Sequence, residues 1–332
     1  MKHILFLITL IVHLPSLFSQ ELSETIQKSN TPRTKLEIQK LSNDSKLLLR
    51  AQKTVEAAKL AEKIFELSPL SPESNYIQGQ IYFVKKDYHS AIMEFNKAID
   101  KQENHEPSLF MMGLSHFKLN LWRQSLKFFE KACIHSSYNP YYRYNLTLAY
   151  YLTGNFDKAK IEAEKTIELK ENYYKVKVLL LKSLIKLNQK QEAYKLAHSM
   201  YEKNIELESI LTHYANLQID LYSNYKTAID ILKKKKSLSP IDRRLLAISY
   251  METGNYSTAI SNYKILLGSN FNLDEDSSNY LKCLVLSGRK NDAEKLLKNL
   301  IQESPHLRTY FIDIMNNLFE GKELFESHYS PL

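Results

Sequence analysis

The sequence predicts an all-α fold built from a series of repeated helical hairpins. A small residue recurs along the chain at Ala57, Ala91, Ser125, Ala159, Ala193, Ala228, Ala259 and Ala293. Most of these intervals are 34 residues, with one of 35 and one of 31, and such a period indicates stacked two-helix units. Two other observations agree. The 332 residues include only 7 glycines, and no segment alternates apolar and polar residues as a strand would.

Each repeat is predicted to contain a helix A, a short turn and a helix B that carries the small residue. A small side chain is needed there because the two helices of a unit approach closely. An aromatic residue follows four positions later on the same helical face in several units: Phe95, Phe129 and Tyr263. Three turns contain a glycine, Gly154, Gly254 and Gly288, which tolerates the positive φ that ends a helix.

This pattern resembles the tetratricopeptide repeat (TPR), a helix-turn-helix unit, over residues 36–305. About eight units are expected, starting near residues 38, 72, 106, 140, 174, 209, 240 and 274. The resemblance implies a right-handed superhelical solenoid in which helix A of each unit lines a concave groove.

The two ends of the chain are predicted to differ from the repeats. Residues 1–19 have the basic start, apolar centre and small exit of a secretory signal peptide, and residues 20–35 are expected to form a loose leader. Export to the periplasm or envelope of a bacterium follows as an expectation. If the segment stayed uncleaved, it would be the chain's only membrane contact. Residues 306–332 are predicted to form a capping helix and a tail.

Composition and motifs argue against an enzyme. Neither the histidines nor the two cysteines, Cys133 and Cys283, have metal-ligand spacing, and no glycine-rich phosphate loop is present. No metal, cofactor or catalytic residue is therefore expected, and the cysteines are predicted to be buried free thiols. The net charge of +8 favours acidic partners, but the absence of a repeated basic stripe argues against nucleic acid.

Resemblance to the family places a binding groove at fixed positions of the A helices. The side chains predicted to line it are Tyr76, Gln80, Phe83, Phe110, Leu114, Phe117, Tyr141, Tyr144, Leu148 and Tyr151. An exposed apolar stripe of this kind usually marks an interaction surface. The alternative is that these aromatic residues pack between units as core, and the sequence favours neither interpretation. A third possibility is that the leader or the tail occupies the groove.

Later units place cationic residues near the same positions: Lys175, Lys182, Lys186, Arg244 and Lys282. The predicted function is that of an exported, non-enzymatic adaptor that binds a protein or peptide in its groove. The alternative is a structural component of a cell-envelope assembly, which would bind through its convex face or its ends.

Overall fold

The computed structural model describes residues 31–203, 208–268, 274–303 and 308–319, and the regular structure in these residues is entirely helical. The chain divides into two compact units, Met1–Ser183 and Leu184–Leu332. In the first unit the helices are α1 (Pro32–Arg50), α2 (Thr54–Leu67), α3 (Glu73–Val84), α4 (Tyr88–Lys101), α5 (Glu106–Lys118), α6 (Trp122–His135), α7 (Pro140–Leu152) and α8 (Phe156–Leu169). Helix α9 (Tyr174–Lys186) contains the boundary between the units. The second unit continues with α10 (Lys190–Glu202), α11 (Glu208–Tyr222), α12 (Tyr225–Leu232), α13 (Pro240–Glu252), α14 (Tyr256–Leu267), α15 (Asp274–Leu286), α16 (Lys290–Glu303) and α17 (Arg308–Phe319).

The helices form eight consecutive hairpins, so the predicted all-α repeat fold is confirmed. Seven of the A helices begin within one residue of the predicted unit starts. The first begins earlier, at Pro32, inside the segment predicted as a loose leader. There the Thr31 hydroxyl accepts a hydrogen bond from the Thr34 N–H at 3.2 Å, and proline suits the first helical turn. The predicted signal segment, residues 1–19, lies outside the described residues.

Every hairpin turn contains one residue in the left-handed region of backbone conformation. Gly154, Gly254 and Gly288 have φ between 77° and 79°, as predicted. The other five turns place Gln52, Lys86, Asn120, Asn188 and Ser223 at the same position, with φ between 50° and 64°. The eight residues share one register, each five positions before the small residue of helix B. Turn geometry is therefore common to all repeats, while glycine is used in only some.

The core of the first unit lies between the A and B helices of successive hairpins. Ala57, Ala91 and Ala159 are completely buried, as expected for positions where helices approach closely. A glycine in two A helices makes room for a ring of helix B: a Cβ on Gly79 would lie 2.5 Å from Phe95, and one on Gly113 would lie 2.6 Å from Phe129. The ring of the B helix thus packs directly on the backbone of the A helix.

Buried ion pairs connect successive hairpins of the second unit. The Arg244 guanidinium donates two hydrogen bonds from Nε, at 2.8 and 3.0 Å, and one from Nη2, at 2.5 Å, to the Asp276 carboxylate. The Lys235 ammonium donates to Asp242 at 2.5 Å, between α12 and α13. These contacts correct one expectation, because Arg244 is buried and does not lie on an open groove surface.

Helix α17 packs against both helices of the last hairpin, α15 and α16. Its Ile314 side chain is 5% exposed and joins the core that contains Tyr263, Leu281 and Ala293. Tyr310, on the same helix, stays half exposed. The predicted tail beyond residue 319 lies outside the described residues.

Candidate functional site

Two of the ten predicted groove residues belong to the core. Tyr76 is 6% exposed and Phe110 is 4% exposed. The ring of His105, which directly precedes α5, covers Tyr76 at a centroid distance of 5.4 Å. Tyr142 stacks on Phe110 at 4.1 Å. For these two residues the structure agrees with the alternative of core packing, because the start of the next repeat folds over them.

Burial raises the pKa of the Tyr76 hydroxyl, and the nearby Glu73 carboxylate raises it further. The hydroxyl therefore stays protonated across the physiological range. It accepts a hydrogen bond from the Gln80 side-chain amide at 3.0 Å. Gln80 is half-buried, and its other polar atom, Oε1, is buried without a hydrogen-bond partner. The Gln80 side chain is thus held against the buried Tyr76 ring.

Two of the predicted groove residues on α7, Tyr141 and Tyr144, are more accessible to solvent than Tyr76 and Phe110. Tyr141 is 51% exposed and contacts Phe110 at a ring distance of 5.3 Å. Tyr144 is half-buried and stacks on Tyr173, also at 5.3 Å. Burial raises the pKa of Tyr144, so this phenol also stays a neutral hydrogen-bonding group. The Lys170 ammonium lies 5.3 Å from the Tyr173 ring centroid, which brings a cation to the edge of this pair.

The remaining predicted residues form a half-buried apolar surface along the carboxyl-terminal halves of three A helices. We call this surface the A-face stripe, and it consists of Phe83 on α3, Leu114 and Phe117 on α5, and Leu148 and Tyr151 on α7. Each of these side chains is half-buried. Leu114, Phe117 and Tyr151 pack on the edge of one core cluster, so the stripe is supported from below. The stripe contains five of the ten residues that were predicted to line the groove.

Charge is distributed unevenly around the stripe. Helices α7 and α9 contain no aspartate or glutamate, and α5 contains only Glu106. Helix α9 instead carries Lys175 and Lys182, seven residues apart and therefore on one face. Neither lysine forms an ion pair with a carboxylate among the described residues. The surface beyond the stripe is cationic within the first unit.

A buried polar network across the first three hairpins is absent from the sequence-based expectations. The Ser42 hydroxyl donates to Glu73 Oε2 at 2.8 Å, and His105 Nε2 lies 3.3 Å from Glu73 Oε1. His105 Nδ1 is 2.7 Å from the Ser108 hydroxyl. Burial acts to raise the pKa of Glu73, but hydrogen bonds from His105 and Ser42 outweigh it and hold that pKa below its usual value. The partners of Glu73 in this network lie 31 and 32 positions away in the sequence, so no local motif predicts these pairs.

The two cysteines and His116 are part of the packed structure. Both cysteines are buried and unpaired, as predicted, and burial raises the pKa of each thiol to about 12. His116 bonds to the Met112 carbonyl through Nδ1 at 2.9 Å and stacks on Phe128. In the described part of the chain, no group of three potential ligands could hold a metal ion. The described helices also include none long and apolar enough to cross a membrane.

The chain is similar in sequence to one known family. Residues 51–132 match the family model described as anaphase-promoting complex, cyclosome, subunit 3. Anaphase-promoting complex subunit 3 of Schizosaccharomyces pombe is 24% identical over 247 residues, which cover 72% of this chain and 36% of the relative. The chain therefore spans about a third of the length of that relative.

Similar solved structures include a tetratricopeptide repeat protein from Parabacteroides merdae, with 12% identity and a TM-score of 0.48 over 74% of this chain and 98% of the other. MamA from Desulfovibrio magneticus RS-1 has 20% identity and a TM-score of 0.43 over 50% of this chain and 94% of the other. The Naa15/Naa10 structure bound to HypK-THB has 11% identity and a TM-score of 0.49, covering 81% and 42%. With eight hairpins in one register, this chain is a TPR-like helical-repeat protein.

Proposed function

We propose that the protein is a non-enzymatic scaffold that binds a protein or peptide through the A-face stripe. The observation that carries this proposal is the run of half-buried apolar side chains at equivalent positions of α3, α5 and α7. Apolar residues that repeat along one surface usually mark an interaction site, because burying them against a partner removes them from water.

The charge around the stripe indicates the chemistry of the partner. Among the residues that the structure describes, Lys175 and Lys182 form no ion pair with a carboxylate, and α7 contains no acidic residue. An apolar segment with acidic residues at one end would fill the stripe and pair with these lysines. Such pairs at the rim contribute mainly to orientation and association rate, whereas burial of the apolar residues provides most of the affinity.

Export of the chain is part of this proposal and rests on the sequence of residues 1–19. The basic start and apolar centre support a role in the periplasm or cell envelope of a bacterium. Mass spectrometry of the amino terminus of the protein isolated from its source tests this point. A mature chain that begins close to residue 20 supports export, and an intact Met1 in a soluble cytoplasmic fraction contradicts it.

Binding through the A helices is tested by matched substitutions on the two sides of the hairpins. Leu114→Ser and Tyr151→Ser remove apolar area from the stripe, whereas Met93→Ser and Ile134→Ser remove it from B helices, where these side chains are 62% and 74% exposed. With a partner captured from the native envelope and then purified, we expect the first pair to lower affinity by at least about tenfold. This corresponds to about 1.4 kcal/mol, within the range of interface hot spots.

The same experiment tests the alternative, a structural component that assembles through its convex face. The exposed Met93 and Ile134 side chains on B helices favour that possibility. Loss of binding in the Met93→Ser, Ile134→Ser variant, with the stripe variant unaffected, would replace the adaptor proposal with this one. Circular dichroism and the thermal midpoint of each variant establish that folding is retained.

A further inference from the structure

A cleft of about 580 Å³ lies between α1 and the start of α3, on a part of the first unit separate from the A-face stripe. One wall is a polar face of α1 that includes Gln39, Ser42 and Lys46. The other wall is formed by residues of the turn before α3, including Leu70 and Ser71. Its volume lies in the range of sites that hold a small molecule or a few side chains.

The register of the repeats explains why space exists here. One repeat later, the position of Ser42 is occupied by Tyr76, and the position of Ser71 is occupied by His105. Those two rings pack against each other at 5.4 Å with an interplanar angle of 77°. Three repeats later the same two positions hold Tyr144 and Tyr173, which stack at 5.3 Å. Only at the first interface of this series are both positions serine.

The cleft therefore lacks the ring pair found at two of the three later interfaces of this series, the third having Phe110 and Asn139 at these positions. Its lining suits a ring with a polar edge. Ile38 and Leu70 provide apolar contact, while Gln39, Asn43 and Gln102 provide hydrogen-bonding groups at the rim. The Lys46 ammonium already lies 5.9 Å from the Tyr76 ring centroid, so a second ring in the cleft would lie within reach of the same cation.

We propose that this cleft binds an aromatic side chain of the tyrosine type from a partner polypeptide. The ring would occupy the space that an aromatic pair fills at the Tyr76–His105 and Tyr144–Tyr173 interfaces. Its hydroxyl would pair with the polar lining, which a purely apolar side chain would leave without hydrogen bonds. Binding of one ring is weak, on the order of millimolar, so in a peptide it would add to contacts made elsewhere.

The test uses the full chain and small probes. N-acetyltyrosinamide is titrated while the backbone amide resonances of Ser42 and Ser71 are followed by NMR. We expect saturable shifts confined to the cleft, with at least tenfold weaker binding of N-acetylleucinamide. Ser71→His introduces the ring that His105 provides one repeat later, and Ser42→Tyr introduces the ring that Tyr76 provides. Each filled variant is expected to bind the tyrosine probe at least tenfold more weakly.

A matched control adds a tyrosine elsewhere: Ser199→Tyr on the exposed side of α10 should leave probe binding unchanged. Because Ser42 donates a hydrogen bond to Glu73, its variant is interpreted only if the thermal midpoint is retained, and Ser71→His provides the independent result. The proposal is overturned if the probe gives no saturable shifts in the unmodified chain, or if both folded variants bind it normally. Equal binding of the leucine probe also overturns it. Contacts from this chain's own Phe6 or Phe18 to the cleft before probe is added would identify an internal occupant instead.

Discussion

The left-handed residue shared by the hairpin turns allows the effect of backbone conformation on stability to be tested separately from packing. Lys86 and Gly154 occupy the same turn position two repeats apart, with φ of 64° and 79°. The N–H of Lys86 donates to the Phe83 carbonyl at 3.0 Å, and that of Gly154 donates to the Tyr151 carbonyl at 3.1 Å. A Cβ added to Gly154 would meet nothing within 4 Å, so a substitution there changes conformational preference and little else.

We expect Lys86→Gly to stabilise the protein and Gly154→Ala to destabilise it. A residue with a side chain pays about 1–2 kcal/mol in the left-handed region. Glycine loses about 0.4–1 kcal/mol through the greater freedom of the unfolded chain, which offsets part of this difference. The net changes should be about 0.5–1 kcal/mol, with opposite signs, in the free energy of unfolding.

Urea unfolding followed by far-ultraviolet circular dichroism measures both changes within the first unit. The slope of each transition must be unchanged for the midpoints to report stability, because a changed slope indicates a different unfolded or partly folded state. The reasoning that one turn conformation is imposed on every repeat would be refuted if Gly154→Ala were as stable as the unmodified chain. It would also be refuted if both variants changed the free energy of unfolding in the same direction.

Three other predictions follow from packing and charge. Gly113→Ala should lower the free energy of unfolding by about 1–2 kcal/mol despite the better helix propensity of alanine, because the added Cβ would lie 2.6 Å from the Phe129 ring. Phe129→Leu in the same chain should recover part of this loss, and thermal or urea unfolding measures both effects. Asp242→Asn should cost about 3–5 kcal/mol because it leaves the Lys235 ammonium buried, whereas Asp292→Asn, at a pair exposed to solvent, should cost less than about 1 kcal/mol. Burial acts to raise the pKa of Asp242, but hydrogen bonds from Lys235 and its neighbours outweigh this effect and lower the pKa overall. The stabilisation that Asp242 provides is therefore present above the unfolded-state pKa near 3.8 and is lost as pH falls through the lower folded-state pKa. Acid titration of stability should show this loss in the native chain and not in Asp242→Asn, and an identical acid profile in both would contradict the assignment.

Periodicity was sufficient to predict most of the fold. The recurring small residue placed seven of the eight A helices within one residue, because close approach of two helices demands a small side chain at a fixed position. The first helix was misplaced because its amino terminus depends on the Thr31 cap, a local signal that the repeat does not contain. The turn at Lys86 could not be distinguished from an ordinary helix end, since lysine, unlike glycine or asparagine, does not mark a positive φ in sequence.

The candidate site was predicted less completely than the fold. Position within the repeat placed Phe83, Leu114 and Tyr151 on one helix face, and each of these side chains is half-buried in the structure. It could not tell that Tyr76 and Phe110 are covered, because the covering rings come from the next repeat and differ in type from one interface to another. The burial of a side chain between repeats depends on such non-local partners.

The most direct test of the proposed binding surface is site-specific photo-crosslinking in the native cell. A photoreactive phenylalanine analogue replaces Phe117 in the A-face stripe or, as the control, Ile134 on a B helix. The account predicts a discrete covalent adduct with another protein from position 117, lost when Leu114→Ser is added, and no such adduct from position 134. An adduct from position 134 alone, or one at position 117 that persists unchanged with Leu114→Ser, would contradict it.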